Sequence, residues 1–160
     1  MQIHSQSQPT SLLYEQDFYL WLQQTAQLLK VRNFEEVDWD NLIEEIESMG
    51  RSEKRELKSR LIVLIEHLLK LVYWEAEKEN NANGWRSTIV EQRNQIEFSL
   101  EDSPSLKPLL AEIFLDCYGK ARKNTLQKYQ LSSDFFPEEP PFQLEDVLNP
   151  NYLPQACETQ

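Results

Sequence analysis

The residues best suited to chemistry in this 160-residue chain are few. His67 is one of only two histidines; the other, His4, lies among the first polar residues. His67 falls on the side of a long apolar run that also carries Val63, Leu64, Leu71 and Trp74. A histidine there is either a core residue satisfied by one hydrogen bond or a general base or metal ligand. Arg93 is the second candidate. It occupies the apolar stripe Trp85, Ile89, Arg93, Ile96, Leu100, where the helical period asks for an apolar side chain. A guanidinium placed there must find an acid or carbonyl groups, because burying it unpaired is very costly. Two arrangements satisfy it. One is a structural ion pair with Glu45 or Glu66. The other is a two-arginine clamp with Arg86, two helical turns earlier, that holds a carboxylate or phosphate. Trp85 would stack on a planar ligand in that second arrangement, and otherwise closes the end of the core. The candidate ligand set is therefore His67, Trp85, Arg86 and Arg93.

Other chemistries leave no trace. The chain has no Gly-rich phosphate loop, no zinc-type pairing of Cys and His, and no strand–Gly-x-Ser-x-Gly–helix elbow. Glu44, Glu45 and Glu47 could bind magnesium through oxygen. All-helical nucleotide pyrophosphatases use Glu-Glu-x-x-Glu for this, and here the third acid comes one residue early with no matching second pair. A solvated acidic face is the favoured reading, with no metal, no cofactor and no catalytic residue expected. The balance leans away from an enzyme.

Charge narrows the partners. Sixteen Lys and Arg against 27 Asp and Glu give a net charge of −11, which disfavours a nucleic-acid backbone. Two runs are locally basic: Arg51 to Arg60, net +3, and Lys120 to Lys128, net +4. Arg51, Lys54, Arg55, Lys58, Lys120, Arg122 and Lys123 are either solvated helix faces or a docking surface for an acidic protein partner. A homo-oligomer is the alternative assembly. Cys117 and Cys157 form no disulfide framework or metal motif; Cys117 lies on an apolar stripe and reads as inert core. The first residues lack the pattern of a signal peptide, and no apolar run reaches a membrane span, so the expected location is the cytoplasm.

Helices must position these residues. The 40% apolar and 27% charged fractions suit a globular chain, and three glycines are too few for a turn-rich β protein. The expected fold is all-α: a single bundle of about five helices around a long central one, Ser52 to Glu79. A polar leader covers residues 1–11, the bundle 12–130 and a C-terminal strap 131–160. The first helix is expected over Tyr14 to Lys30, with Phe18, Trp21, Leu22, Thr25, Leu28 and Leu29 as its face. The second runs to Met49, capped by Asp38 or Asp40, with Trp39, Leu42, Ile43, Ile46 and Met49 turned inward. Gly50 fits the left-handed position that closes a helix; the alternative is one kinked helix through it. The central stripe is Leu57, Leu61, Leu64, Leu68, Leu71 and Val72. Lys78 to Gly84 reads as a loop, and a fourth helix as Trp85 to Leu100. Ser103 and Pro104 open the fifth, whose Gly119 suggests a close helix crossing. The strap holds five of eight prolines with Phe135, Phe136, Phe142, Val147 and Tyr152, too many large apolar groups for a disordered tail.

The stretches Leu13 to Trp21, Asp38 to Gly50, His67 to Lys70, Trp85 to Ile89 and Ser103 to Leu106 form a specific series. With the strap from Phe136 to Pro154, they resemble the family catalogued as domain of unknown function 29, small proteins found largely in cyanobacteria. The resemblance spans about Leu13 to Pro154. It implies an all-helical bacterial cytoplasmic protein and no particular activity, so it assigns no catalytic residue. A non-enzymatic interaction protein is the leading expectation. A small-anion enzyme or binding protein built on His67, Arg86 and Arg93 is the alternative.

Overall fold

The computed structural model describes residues 10–153, and every regular element among them is helical. The helices are α1 (Thr10–Gln16), α2 (Phe18–Lys30), α3 (Trp39–Tyr73), α4 (Glu75–Asp102), α5 (Lys107–Tyr129) and α6 (Leu144–Leu148). Single 3-10 turns, Phe34–Glu36 and Pro104–Leu106, precede α3 and α5. The chain divides into two compact units, with the boundary between Ser52 and Glu53, inside α3. His4, Cys157 and Pro154 lie outside the described residues.

In the N-terminal unit the expected first helix is split at Asp17. Its carboxylate accepts the Leu20 amide at 3.0 Å and so caps α2, which makes the preceding turn a separate helix. The chain leaves α2 through Arg32 at φ 58, where the amides of Arg32 and Asn33 close on the carbonyls of Leu29 and Leu28. Asp38 then caps α3, accepting the Asn41 amide and, at 2.7 Å, the Asn41 side chain. Trp21 is fully buried, with the rings of Tyr14 and Phe18 at 4.9 and 5.7 Å. Val37 and Thr25 are also buried.

Gly50 corrects the expectation of a helix end. α3 continues through it, no glycine has positive φ, and the continuous helix is the outcome. The inward face assigned to residues 39–49 is also corrected. Trp39, Ile43, Ile46 and Met49 are exposed, by 45% to 67%.

In the C-terminal unit the stripe Leu57, Leu61, Leu64, Leu68, Leu71 and Val72 is buried throughout. Its leucines meet Trp85, Ile89 and Ile96 of α4 and Leu110, Phe114, Cys117, Tyr118 and Ala121 of α5 in one cluster. Phe136, Phe142 and Val147 complete that cluster. α3 ends earlier than its polar tail suggests. The break falls at Trp74, whose φ of −96° and ψ of 68° leave the helical region. Its indole is held among Trp85, Tyr129 and Phe135. The expected loop at Lys78 to Gly84 is therefore helix. Bonds within a turn, Lys78 to Glu75 and Asn81 to Glu77, support a weak helix former between two anchored ends. Gly119 marks no close crossing, since a Cβ there would meet nothing within 4 Å.

Candidate functional site

The four residues singled out for ligand binding have different neighbours. Arg93 is 5% exposed, and its partners are backbone carbonyls rather than an acid. Its Nε donates to Val147 O at 2.8 Å, and its Nη2 donates to Tyr152 O at 2.8 Å and Asp146 O at 3.3 Å. Asp146 and Val147 lie in the last turn of α6, where carbonyls run short of intrahelical donors; Asp146 O also accepts the Asn149 amide at 3.2 Å. The charge also suits the negative end of that short helix. An ion pair with Glu45 or Glu66 is thus replaced by a three-carbonyl grip on the strap. Arg93 also lines a groove of about 410 Å³ with Glu97, Leu100, Lys107, Leu148 and Pro150. Arg86, Trp85 and His67 do not line it. Arg86 is exposed on α4.

His67 is half-buried, and its Nδ1–H donates to the Val63 carbonyl at 2.8 Å. Burial pushes its pKa down, the Val63 bond opposes this, and Lys70 and Lys128 lower it further. The ring is neutral near pH 7, with Nε2 as its acceptor. This is the geometry of a satisfied histidine in a helix.

Trp85 belongs to an assembly that helical periodicity did not reveal. Lys70 of α3 is buried, and its ammonium lies 5.5 Å from the ring centres of both Trp85 and Tyr129. Trp74 packs nearly parallel to Trp85 at 6.1 Å and edge-on to Tyr129 at 4.7 Å. Burial lowers the Lys70 pKa, and the Tyr129 hydroxyl and Glu66 oppose it. Lys128 stands 5.3 Å from the Tyr129 ring. Trp74, Trp85 and Tyr129, with Glu77 and Asn81, wall a cleft of about 290 Å³. Its aromatic faces already receive a cation from the chain itself. Lys70 lies off the main stripe, and the rings covering it come from residues far along the chain. The signal in the sequence is thin: Trp74 and Tyr129 stand at helix ends, while Trp85 lies inside α4.

The basic surface is largely engaged. Arg51 pairs with Glu44 at 2.5 Å and Glu47 at 3.7 Å. Lys58 and Lys120 both meet Asp116. Arg122 donates to the carbonyls of Phe136, at 3.1 Å, and Ser133, so it too grips the strap. Lys54, Arg55 and Lys123 are exposed and carry no ion pair among the described residues. In the acidic trio, Glu45 accepts the Tyr14 hydroxyl at 2.5 Å, while Glu44 and Glu47 serve Arg51. No cluster of three His, Cys, Asp or Glu suited to a metal occurs among the described residues.

Much of the exposed apolar surface among the described residues lies in the N-terminal unit. Among its described residues eleven large apolar side chains are exposed, from Leu12 to Met49, against two that are buried, Trp21 and Val37. Trp39, Ile43, Ile46 and Met49 recur every three or four residues and so form one stripe. Asp40, Glu44 and Glu47 follow beside it. Over residues 10–52 there are nine Asp and Glu against three Lys and Arg, a net of −6.

These features define an all-α protein with an arginine-gripped strap and an acidic, apolar N-terminal face. The chain belongs to the family described as Domain of unknown function DUF29, whose model matches residues 13–153. No curated protein and no solved structure matches it. Among the described residues, no helix is long and apolar enough to cross a membrane.

Proposed function

We propose that this protein is a non-enzymatic interaction module whose N-terminal unit receives a basic amphipathic helix of a partner protein. The observation that carries this reading is the exposed stripe Trp39, Ile43, Ile46, Met49 on α3. Large contiguous apolar surface on a soluble protein marks a place where something binds. Helical spacing suits a helix laid against it, through ridges and grooves. Gly50 follows directly on the stripe, and a Cβ there would meet nothing within 4 Å, so a second backbone can approach closely. The flanking carboxylates and the net −6 of residues 10–52 select a positive partner. A two-fold contact through the same patch would set −6 against −6, which disfavours a second copy of this chain.

A photo-crosslinking residue placed at Ile46 in the full chain tests this. The expected product joins it to a helical segment of another protein with an apolar stripe and an excess of Lys and Arg. Ile43→Asp with Met49→Asp should abolish the product without loss of fold, because both positions are exposed. Self-crosslinking, an acidic partner segment or no product at all would overturn the proposal.

A further inference from the structure

α5 and the strap enclose a groove of about 590 Å³ in the C-terminal unit. α5 contributes Phe114, Leu115 and Gly119, and the strap contributes Glu138, Glu139 and Phe142. The floor is apolar, and Leu115 is 69% exposed within it. Gly119 sits inside a helix without positive φ, where glycine is less favourable than alanine. No neighbour uses the space its missing side chain leaves. The opposite wall is strongly acidic. Residues 131–153 hold five Asp and Glu and no Lys or Arg. Glu138 and Glu139 are exposed and carry no ion pair among the described residues. The strap itself is held to α5 through the hydroxyl of Tyr118, which also lines the groove, on the Pro137 carbonyl at 2.6 Å and through the Arg122 grip on Phe136. The wall is thereby fixed in place before any ligand arrives, which lowers the cost of binding.

We infer that this groove is a docking site for a short extended peptide segment of a partner protein, bearing a large apolar side chain beside Lys or Arg. The apolar side chain fills the space over Gly119, against Leu115 and Phe142. The cation meets Glu138 and Glu139. The chain's own basic runs cannot serve as this extended segment, because Arg51 to Arg60 and Lys120 to Lys128 are helical. The site lies wholly in the C-terminal unit and stands independently of the N-terminal face.

Selection of random 12-residue displayed peptides on the full chain, with binding of the winners measured by fluorescence anisotropy, tests this. Winners are expected to pair Lys or Arg with Leu, Ile or Phe. They should lose at least tenfold in affinity on Gly119→Leu, which fills the groove from an unobstructed position. They should weaken several-fold on the double change Glu138→Gln and Glu139→Gln. Leu115→Asp, at an exposed position, is the second blocking variant should Gly119→Leu disturb the fold. The proposal is overturned if no selected peptide distinguishes the wild-type chain from a folded blocking variant, or if those that do are acidic or lack an apolar anchor.

Discussion

Arg93 Nε donates to the Val147 carbonyl at 2.8 Å, joining the middle of α4 to residues 54 positions later. The same guanidinium reaches Asp146 and Tyr152, so one buried side chain ends a short helix and fixes the backbone beyond it. The grip is on main-chain oxygens. It therefore constrains the strap's path while leaving its side chains free to pack, as Phe136, Phe142 and Val147 do.

Arg93→Met should remove this grip and leave the Val147 carbonyl without its arginine donor, while Asp146 O keeps the Asn149 amide. Losing hydrogen bonds to a buried charge and orphaning an acceptor costs about 3 kcal/mol. Urea unfolding should show the drop, and limited proteolysis should show new cleavage between Leu131 and Leu153. Arg93→Lys should rescue little, because an ammonium cannot match the planar fork. An unchanged urea midpoint for Arg93→Met would sink this account.

The glycines predict the opposite direction. Gly50 and Gly84 lie inside helices, without positive φ, and a Cβ at either meets nothing within 4 Å. Alanine there costs no strain and restricts the unfolded chain. Gly50→Ala and Gly84→Ala should each raise stability by about 0.4–1 kcal/mol. Thermal melts are the check, and a lowered Tm for Gly50→Ala would mean that α3 needs the glycine after all.

These two residues also show what the sequence made legible. The long apolar stripe of the central helix was readable: Leu57, Leu61, Leu64, Leu68, Leu71 and Val72 are buried as their spacing demands. Helix ends were not. Gly50 and the run Lys78 to Gly84 carry strong local stop signals, yet the helices continue, while α3 stops at Trp74 with no Gly or Pro nearby. That stop comes from ring packing against Trp85, Tyr129 and Phe135, which are remote in sequence. Arg93 was legible as an anomaly because it interrupts a period. Its partners were not, because backbone carbonyls have no sequence signature. Lys70 was missed because a lysine off the stripe reads as solvated. The apolar residues of 39–49 were legible as a stripe, but periodicity cannot say whether a stripe is covered.

Two tyrosines should titrate late. Tyr14 is pushed up to about 12, first by its hydrogen bond to the Glu45 carboxylate, and Tyr118 to about 12, first by burial. Absorbance at the phenolate band should show a separate step above the ordinary range near 10. Tyr14→Phe and Tyr118→Phe should each shrink that step. Raised pKa values stabilise the fold at pH values below the unfolded pKa, near 10, and that stability is lost as pH rises toward 12. Alkaline unfolding should therefore overlap the late step.

Cys117 makes a chemical test of the core. Its thiol is buried, and burial pushes its pKa up to about 11. In a Cys157→Ser background, a thiol-reactive dye should label Cys117 only as fast as the chain opens, and promptly in denaturant. Rapid labelling of the native protein would show that the contact between α3 and α5 at this point is open.

His67 sets a pH window on the acid side. Its folded pKa lies below the ordinary 6.5, because burial and the nearby Lys70 and Lys128 disfavour the imidazolium. Above pH 6.5 both folded and unfolded chains hold it neutral, so it costs nothing. As pH falls below 6.5 the unfolded chain takes the proton first, and the fold loses stability down to the folded pKa. A His67→Asn variant lacks this titration. Its stability should fall less than that of the wild-type chain between pH 7 and 5, as measured by urea midpoints at each pH. Equal slopes for the two proteins would mean that His67 is protonated as easily in the fold as outside it. The Val63 bond would then hold an imidazolium, and the ring would be far more open to water than its burial implies.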